Sequence, residues 1–305
     1  MSGRPVRWMF QYPDTHGVDG DMLDAGPLGE VAVAVEAAGW DGLALTEHPA
    51  PGVNWLSAGG HQTLDPFVSL GYAAAVTRRI RLLTYLAVLP YRNPLLVAKS
   101  AATVDRLSNG RFVLGVGVGY LKSEFRALGA DFDERNELFD EALDVIPHHW
   151  AGEPFTYEGR HFSARDVIAR PRPVQDPIPI WIGGNSARAR QRAADRGQGW
   201  MPLTSAVDIS ATTRSPHISS TEALAALVRD LHERAGARAG ELDVVAVYAD
   251  PTVGAPTGDV AHHRTALAAL VDAGATWIVV PGPASTSLAR TRAFIDEFAT
   301  TYIAE

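Results

Sequence analysis

Three absences narrow what this chain of 305 residues can do. It contains no cysteine, which excludes disulfides, thiolate nucleophiles and cysteine-ligated metals. Lysine is nearly absent as well, since Lys99 and Lys122 are the only two. Contacts to anions must therefore fall mainly to arginine, backbone N–H groups and hydroxyls. The net charge is −8 and no basic tract is present, which argues against nucleic acid as a partner.

Long apolar runs are missing too. No stretch reaches the ~18–20 residues that a membrane-spanning helix needs. Met1 to Pro5 lead directly into a strand-like run, so we expect no secretory signal and a cytoplasmic location. Hydrophobic residues make up 46% of the chain and charged residues 20%, a balance typical of a globular protein and not of a disordered one.

What the chain does contain is a regular alternation of buried strands and amphipathic helices. Strands are predicted over residues 6–10, 41–45, 80–89, 111–119, 180–184, 199–203, 242–249 and 274–280. A predicted helix follows each strand, and such strand–helix–strand units form parallel sheets with right-handed connections. Eight units predict a single α/β domain over residues 1–305, a (β/α)8 TIM barrel. The alternative is an open doubly wound sheet, but the turn after the first strand lacks the glycine pattern of dinucleotide-binding sheets.

One segment interrupts this alternation before the fifth strand. It covers about residues 151–179, is rich in proline, and is too short to build a core of its own. We therefore predict an extended insertion, such as a hairpin, that belongs to the single domain.

The stretch from the third to the fourth strand carries the clearest local signals. Asn93 suits the N-cap of a helix and Pro94 its first position, where a missing N–H costs nothing. Asn109 and Gly110 end that helix with residues that tolerate left-handed backbone. Glycines then alternate along the fourth strand and leave one face bare near its C-terminal end: Gly115, Gly117 and Gly119. Either the neighbouring strand or a flat ligand is expected to pack closely against that face.

In a barrel of this type, the active site lies where the strands end. After the third strand, Thr84, Tyr85 and Leu86 stand beside the bare fourth strand and are predicted to form a flat apolar wall for a flavin-like ring. After the fifth strand, a glycine-containing turn opens a helix, whose free N–H groups and dipole suit a phosphate. This turn comprises Gly183, Gly184, Asn185 and Ser186, with further backbone donors expected from Gly117, Val118 and Gly119. The alternative for the turn is an ordinary capped helix start.

The segment LLTYLAVLPYRNPLLVAKSAATVDRLSNGRFVLGVGVGY resembles, without gaps, the core of the bacterial luciferase-like flavin and deazaflavin oxidoreductases. Further segments, EAAGWDGLALTEHP, RPRPVQDPIPIWIGG and GWMP, extend the resemblance over nearly the whole chain. The resemblance implies a barrel oxidoreductase that binds the deazaflavin coenzyme F420, which we favour, or FMN. It also implies a homodimer, and a cis peptide bond between Tyr85 and Leu86.

His48 ends the second strand, and a neutral imidazole can accept or donate a proton near pH 7. In the deazaflavin-dependent sugar-phosphate dehydrogenases of the family, the matching histidine sits beside the reacting carbon of the cofactor. The matching acidic residue contacts the cofactor, which makes Glu47 a candidate for catalysis and for cofactor binding. Those enzymes carry a glutamate directly after the glycines of the fourth strand, where this chain has Tyr120. Tyr120 is therefore a candidate hydrogen-bond donor, and we expect the substrate and the acid–base pair to differ.

No pair of histidines has the spacing of familiar metal ligands, so no catalytic metal is predicted. The predicted reaction is hydride transfer between the deazaflavin and an unidentified small organic substrate, with His48 as the proton partner. The alternatives are an FMN-dependent monooxygenase that uses reduced flavin and dioxygen, a non-catalytic flavin-binding protein, and an unrelated phosphate-binding barrel. Loops 11–26, 53–62, 155–179 and 204–217 are expected to shape the substrate pocket.

Overall fold

The computed structural model describes residues 5–205, 210–284 and 287–304. Its strands are β1 (Arg7–Gln11), β2 (Thr15–His16), β3 (Gly42–Leu45), β4 (His61–Gln62), β5 (Arg81–Thr84), β6 (Ala87–Val88), β7 (Phe112–Gly117), β8 (Phe155–Glu158), β9 (Ser163–Val167), β10 (Ile180–Gly183), β11 (Gly199–Met201), β12 (Asp243–Val247) and β13 (Trp277–Pro281). Its helices are α1 (Leu28–Ala37), α2 (Val53–Ser57), α3 (Pro66–Val76), α4 (Pro94–Ser108), α5 (Lys122–Ala127), α6 (Arg135–Ala151), α7 (Ala187–Arg196), α8 (Ser210–Thr213), α9 (Thr221–Ala235), α10 (Val260–Asp272) and α11 (Leu288–Phe298). Part of the predicted loop 204–217, residues 206–209, lies outside the described residues.

Eight of these strands form one closed parallel barrel. Hydrogen-bonded neighbours run in the order β1, β3, β5, β7, β10, β11, β12, β13, and β13 pairs with β1 again. Closure at the β7–β10 pairing places Leu114 opposite Ile180. The predicted (β/α)8 barrel is therefore confirmed, and the open-sheet alternative is wrong because the eight barrel strands leave no unpaired edge.

Two apolar layers hold the barrel. Inside it, a cluster of buried side chains that includes Met9, Leu83, Trp181 and Trp277 fills the space between the strands. Outside it, the opposite faces of the strands pack under the helices in a larger continuous core. Each large apolar side chain that leaves water contributes about 1.5–3 kcal/mol, so both layers fix the positions of the strand ends. None of the helices in the described part of the chain combines the length and the apolar character needed to cross a membrane.

The helix boundaries predicted around α4 and α7 are confirmed. Asn93 Oδ1 accepts the N–H of Leu95 at 2.9 Å, and Pro94 is the first residue of α4. Asn109 ends that helix in left-handed geometry, with φ of 55°. Ser186 caps α7 through its hydroxyl, which accepts the N–H of Ala189 at 3.1 Å.

The third barrel strand is broken by a bulge. β5 pairs with β7 at Leu83 opposite Val113, and β6 resumes the pairing at Ala87 opposite Val116. Between these two pairs the third strand advances by four residues and β7 by only three, so the third strand contains one extra residue. The cis peptide bond between Tyr85 and Leu86 lies in this bulge, as the resemblance implies.

The bare face of β7 is filled by the third strand. A Cβ on Gly115 would lie 2.1 Å from the carbonyl oxygen of Thr84, so the two backbones pack directly together there. Further along, a Cβ on Gly117 or on Gly183 would lie 2.5 or 2.2 Å from the side chain of Leu86. Close strand packing thus explains Gly115, and the other two glycines make room for Leu86 at the top of the barrel interior.

The insertion forms the antiparallel hairpin β8–β9, as predicted. It packs along α6, where Glu141 accepts the N–H groups of His161 and Phe162. The chain that follows lies at the other end of the barrel, since Gln175 contacts Asp105 near the end of α4 and the carbonyl of Phe112 at the start of β7. The turn of the hairpin reaches the start of α6, where Arg160 pairs with Glu134, so the prediction that loop 155–179 shapes the substrate pocket stays a prediction.

Candidate active site

The loops after β1 and β3 fold together over the mouth of the barrel. β2 and β4 pair antiparallel, with Thr15 opposite Gln62 and His16 opposite His61. The short helix α2 lies between β3 and β4 and carries Trp55. Both loops were predicted without regular structure, because two-residue strands give no period in the sequence. Their pairing brings side chains from both loops to the end of β3.

His48 lies at the centre of this cluster and is held on both ring nitrogens. Its backbone N–H donates to the hydroxyl of Thr63 at 2.8 Å, which fixes the turn after β3. Nδ1 lies 3.2 Å from the carboxylate of Glu124, and Nε2 lies 3.4 Å from the hydroxyl of Tyr120. The side chain of His48 is only 9% exposed, so this orientation is fixed by its neighbours rather than by solvent.

Glu124 is the buried partner that orients His48. Only 1% of its side chain is exposed, and its oxygens also accept the hydroxyl of Tyr91 at 3.0 Å and the N–H of Ala50 at 3.2 Å. A carboxylate is an acceptor, so it favours the tautomer with the hydrogen on Nδ1 and leaves the lone pair of Nε2 to accept the hydroxyl of Tyr120. Burial and the charge of Glu124 raise the pKa values of Tyr91 and Tyr120, so both hydroxyls stay protonated at neutral pH.

Sequence reasoning missed Glu124. It sits in the first turn of α5, the helix that starts where β7 ends, so a carboxylate there can face the mouth. No local pattern in the sequence points to it, because the burial of Glu124 beside Phe125 depends on how α5 packs on the barrel. Tyr120 was predicted, and the structure places it on the other side of His48 from Glu124.

Glu47 is buried on the opposite side of the β3 end from His48. One oxygen accepts the N–H of Val88 at 2.7 Å, and the other accepts Nε of Arg92 at 2.9 Å and a second hydrogen bond from the same guanidinium. Arg92 also contacts Asp65 at 2.9 Å. Burial raises the pKa of Glu47, and the guanidinium opposes that shift. In these contacts Glu47 ties β6 and the start of α4 to β3, and its contact with a cofactor stays a prediction.

Asp14 and His61 form a second polar pair beside His48. Asp14 accepts the side-chain amide of Gln11 at 2.9 Å and the hydroxyl of Thr46, and burial raises the pKa of Asp14 to about 6. His61 Nε2 lies 3.7 Å from Asp14, yet burial lowers the pKa of His61 to about 3, so the contact is not an ion pair at neutral pH. The ring of His61 lies 4.8 Å from that of His48, between centroids. Sequence reasoning tested His61 only for metal-ligand spacing and so missed this contact.

The residues predicted to contact the cofactor ring, Thr84, Tyr85 and Leu86, lie at the top of the barrel interior. Tyr85 and Leu86 are half-buried and pack on the interior cluster, which leaves part of each side chain at the mouth. Thr84 is fully buried and its hydroxyl donates to the carbonyl of Gly115 at 2.8 Å, so its side chain joins the two strands. Val118 and Gly119 follow β7 and are half-buried beside Tyr120.

The turn after β10 is held by hydrogen bonds within the protein. Gly184 has φ of +112°, and its carbonyl accepts the indole N–H of Trp200 at 2.8 Å. The side chain of Asn185 donates to the carbonyls of Leu203 and Pro216 at 2.8 and 2.7 Å. Since the side chains of Asn185 and Ser186 are both used locally, an anion at this turn would meet the backbone N–H groups at the start of α7. Its role as a phosphate site stays a prediction.

The comparison with known proteins agrees with this architecture. A model of the luciferase-like monooxygenase family matches residues 9–276. The chain belongs to the luciferase-like monooxygenase family. Among relatives in this family, an F420-dependent glucose-6-phosphate dehydrogenase from Nakamurella multipartita is 30% identical over 250 residues, which are 80% of this chain and 67% of that protein.

The share of the chain that is covered differs among the other matches. An uncharacterised protein from Mycobacterium tuberculosis is 38% identical over 149 residues, which are 48% of this chain and 53% of that protein. The chain thus spans about half the length of the first curated relatives that it matches. Monooxygenase RslO1 from Streptomyces bottropensis has a similar structure, with a TM-score of 0.75 at 21% identity over 98% of this chain and 99% of that chain. At that identity, the likeness shows the luciferase-like fold alone.

A further polar group of this luciferase-like barrel lies outside the His48 cluster. This group consists of Asp250, which follows β12, and of His262 and His263 at the start of α10. Each offers one side-chain atom that could bind a metal ion, and these atoms lie within 4.8 Å of one another. His262 Nε2 lies 2.7 Å from Asp250, and the hydroxyl of Tyr248 lies 2.6 Å from Nδ1 of His263. The absence of a catalytic metal stays a prediction.

Proposed function

We propose that this protein catalyses hydride transfer between the deazaflavin coenzyme F420 and a small alcohol or carbonyl substrate, with His48 as the proton partner. The observation that carries the proposal is the arrangement Glu124–His48–Tyr120, in which a buried carboxylate holds Nδ1 of the imidazole and the basic Nε2 lies beside a hydroxyl donor. The relative that is named as an F420-dependent dehydrogenase supports the choice of cofactor.

The residues at the mouth fit a flat ring with an anionic tail. Tyr85 and Leu86 offer a partly exposed apolar ledge over a packed interior, and Gly117 and Gly183 lie directly against Leu86 without side chains of their own. The N–H groups at the start of α7 would face the tail. When bound, the deazaflavin supplies an acceptor or donor for a hydride.

The protein's own part in the reaction follows from the contacts of His48. In the oxidation of an alcohol, Nε2 of His48 takes the hydroxyl proton while the carbon gives up its hydride. The buried carboxylate of Glu124 stabilises the imidazolium that results. The hydroxyl of Tyr120 stays protonated, and once the substrate hydroxyl takes its place at Nε2 of His48 it donates its hydrogen bond to the substrate oxygen. In the reverse direction His48 returns the proton to the carbonyl oxygen.

The test is turnover of oxidised F420 with a panel of primary alcohols, secondary alcohols and sugar phosphates, followed by loss of cofactor absorbance. We expect the wild type to oxidise at least one class. His48→Asn should lower kcat by about 100-fold or more, the scale of general-base catalysis, and leave cofactor affinity unchanged. His232→Asn, in the last turn of α9, is the matched control.

Two results would contradict the proposal. In one, His48→Asn turns over as fast as the wild type. In the other, the wild type is inert with F420 and consumes dioxygen with reduced FMN, which would establish the monooxygenase alternative. Binding of either cofactor with no turnover in any assay would identify a flavin-binding protein.

A further inference from the structure

Three cationic side chains surround the ring of Phe132. Nζ of Lys122 lies 4.9 Å from the ring centroid, and the guanidinium carbons of Arg135 and Arg214 lie 4.0 and 5.3 Å from it. The three come from different segments, namely the starts of α5 and α6 and the turn after α8. We call this group the Phe132 cation cluster. It contains one of the two lysines of the chain.

Among the residues that the structure describes, the charges of this cluster have no carboxylate partner. In the described ranges, no carboxylate forms an ion pair with any of the three cations, whereas Arg192 contacts Asp140 at 2.6 Å and lies buried beside it. Partial burial and the charge of Arg214 lower the pKa of Arg135, against the weaker opposing effect of Asp133. Like charges that converge on one ring repel each other, so an arriving anion would be stabilised there.

The cluster lies next to the turn after β10. Arg214 is followed by Ser215, whose hydroxyl accepts the N–H of Asn185 at 2.9 Å. On the other side, Arg192 of α7 donates to the carbonyl of Asn136, the residue after Arg135, at 3.0 Å. Arg214 therefore lies next to the start of α7, where the first backbone N–H groups have no partner within the helix, and Arg135 lies beside the second turn of the same helix.

Ring contacts connect the cluster to the reaction centre. Phe132 packs edge-on against Phe125 at 5.1 Å, and Phe125 packs in the same way against Tyr91 at 4.6 Å, between centroids. The hydroxyl of Tyr91 donates to Glu124, the partner of His48. Three packed aromatic rings thus connect the cluster to the carboxylate that holds His48.

We propose that the Phe132 cation cluster binds the negatively charged side chain of the cofactor. For the identity of the ligand, this inference rests on the proposed function. A single phosphate would be served by the N–H groups of α7. Three additional cations on separate segments suit a longer chain with several negative charges, such as a phosphodiester followed by carboxylates. The cofactor ring would then lie on the ledge of Tyr85 and Leu86, and its tail would pass the start of α7.

The experiment measures dissociation constants by fluorescence for four probes at low and high salt. The probes are F420 with its oligoglutamate tail, the form that has the phosphodiester without glutamates, the ring with its ribityl chain alone, and FMN. The proteins are the wild type, the double variant Lys122→Gln/Arg214→Gln, and the control Arg126→Gln, which removes an exposed charge from the same helix as Lys122.

We expect the double variant to bind full-length F420 about five- to tenfold more weakly than the wild type, the scale of two exposed ion pairs. High salt should remove the difference, because it screens exposed charges. The ring alone should bind all three proteins equally, and Arg126→Gln should match the wild type. If the phosphodiester form shows the full effect, the cluster holds the phosphate, and if only the full-length form shows it, the cluster holds the carboxylates.

The inference is overturned if the double variant binds full-length F420 as tightly as the wild type, or if it loses affinity for the ring to the same extent. A different result would contradict the proposed function and leave the role of the cluster intact. If the wild type binds only FMN, and the double variant weakens that binding, the cluster still binds an anionic side chain although the cofactor is a flavin.

Discussion

The two halves of the barrel mouth are built on different principles. At the end of β3, Glu124 and Glu47 are buried, and each is paired inside the protein, with His48 and Arg92 respectively. Over α7, the cations of the Phe132 cation cluster are without carboxylate partners in the described ranges, and Lys122 and Arg214 are exposed. In the first half, the charged groups are held in fixed positions and shielded from water, which favours proton transfer. The second half has charges that an anionic ligand would neutralise.

The largest effect is expected from Glu124→Gln, which keeps the shape of the side chain and removes its charge. The imidazolium of His48 loses its buried counter-charge, and kcat should fall by about 100-fold. KM and cofactor affinity should change by about twofold or less, because Glu124 acts through His48 and does not touch the mouth.

Steady-state kinetics on the best substrate of the panel check this prediction. Glu153→Gln, an exposed site beyond the end of α6, is the control for the loss of one carboxylate. An unchanged kcat, or a rise in KM with kcat intact, would mean that Glu124 is only part of the scaffold.

A smaller effect on stability is expected from Asp14→Asn. The folded protein raises the pKa of Asp14 from 3.8 to about 6, so the protonated carboxyl stabilises the fold fully below pH 3.8. That contribution is lost as the pH rises through about 6, because the buried carboxylate must then be charged. The amide of the variant stays neutral at every pH, so the variant should be more stable than the wild type by about 2 kcal/mol at pH 7.5 and equal to it near pH 4.

Urea unfolding at the two pH values measures this difference. Asp19→Asn, an exposed aspartate in the same loop, should change stability by less than about 0.5 kcal/mol at both. A variant that is destabilised equally at both pH values would show that Asp14 serves mainly as a hydrogen-bond acceptor for Thr46 and Gln11.

Much of the fold could be predicted from the sequence because its signals are local or periodic. The caps at Asn93 and Asn109 depend on residues next to each other, and the eight strands depend on apolar runs between helices. The alternating glycines of β7 indicated a close approach on one face, but not what fills it. The answer, the backbone of Thr84 and the side chain of Leu86, depends on the register between two strands.

The site could be predicted only in part. His48 and Tyr120 follow directly from the rule that strand ends carry the chemistry. Glu124 lies on a helix, and its contact with His48 spans 76 residues of sequence, so no local pattern reveals it. The Phe132 cation cluster joins Lys122 to Arg214 across an even longer separation. Such contacts are set by how the loops fold over the barrel, which neither composition nor spacing records.

The central claim is that the mouth binds a deazaflavin ring against Tyr85 and Leu86, and a fluorescence titration of the wild type with F420 and with FMN tests it most directly. The account predicts that F420 binds at least about tenfold more tightly than FMN, a difference of about 1.4 kcal/mol. Tighter binding of FMN would contradict it and move the protein to the oxygen-dependent branch of its family. If neither cofactor bound, the ring wall and the anionic-tail site would both be wrong.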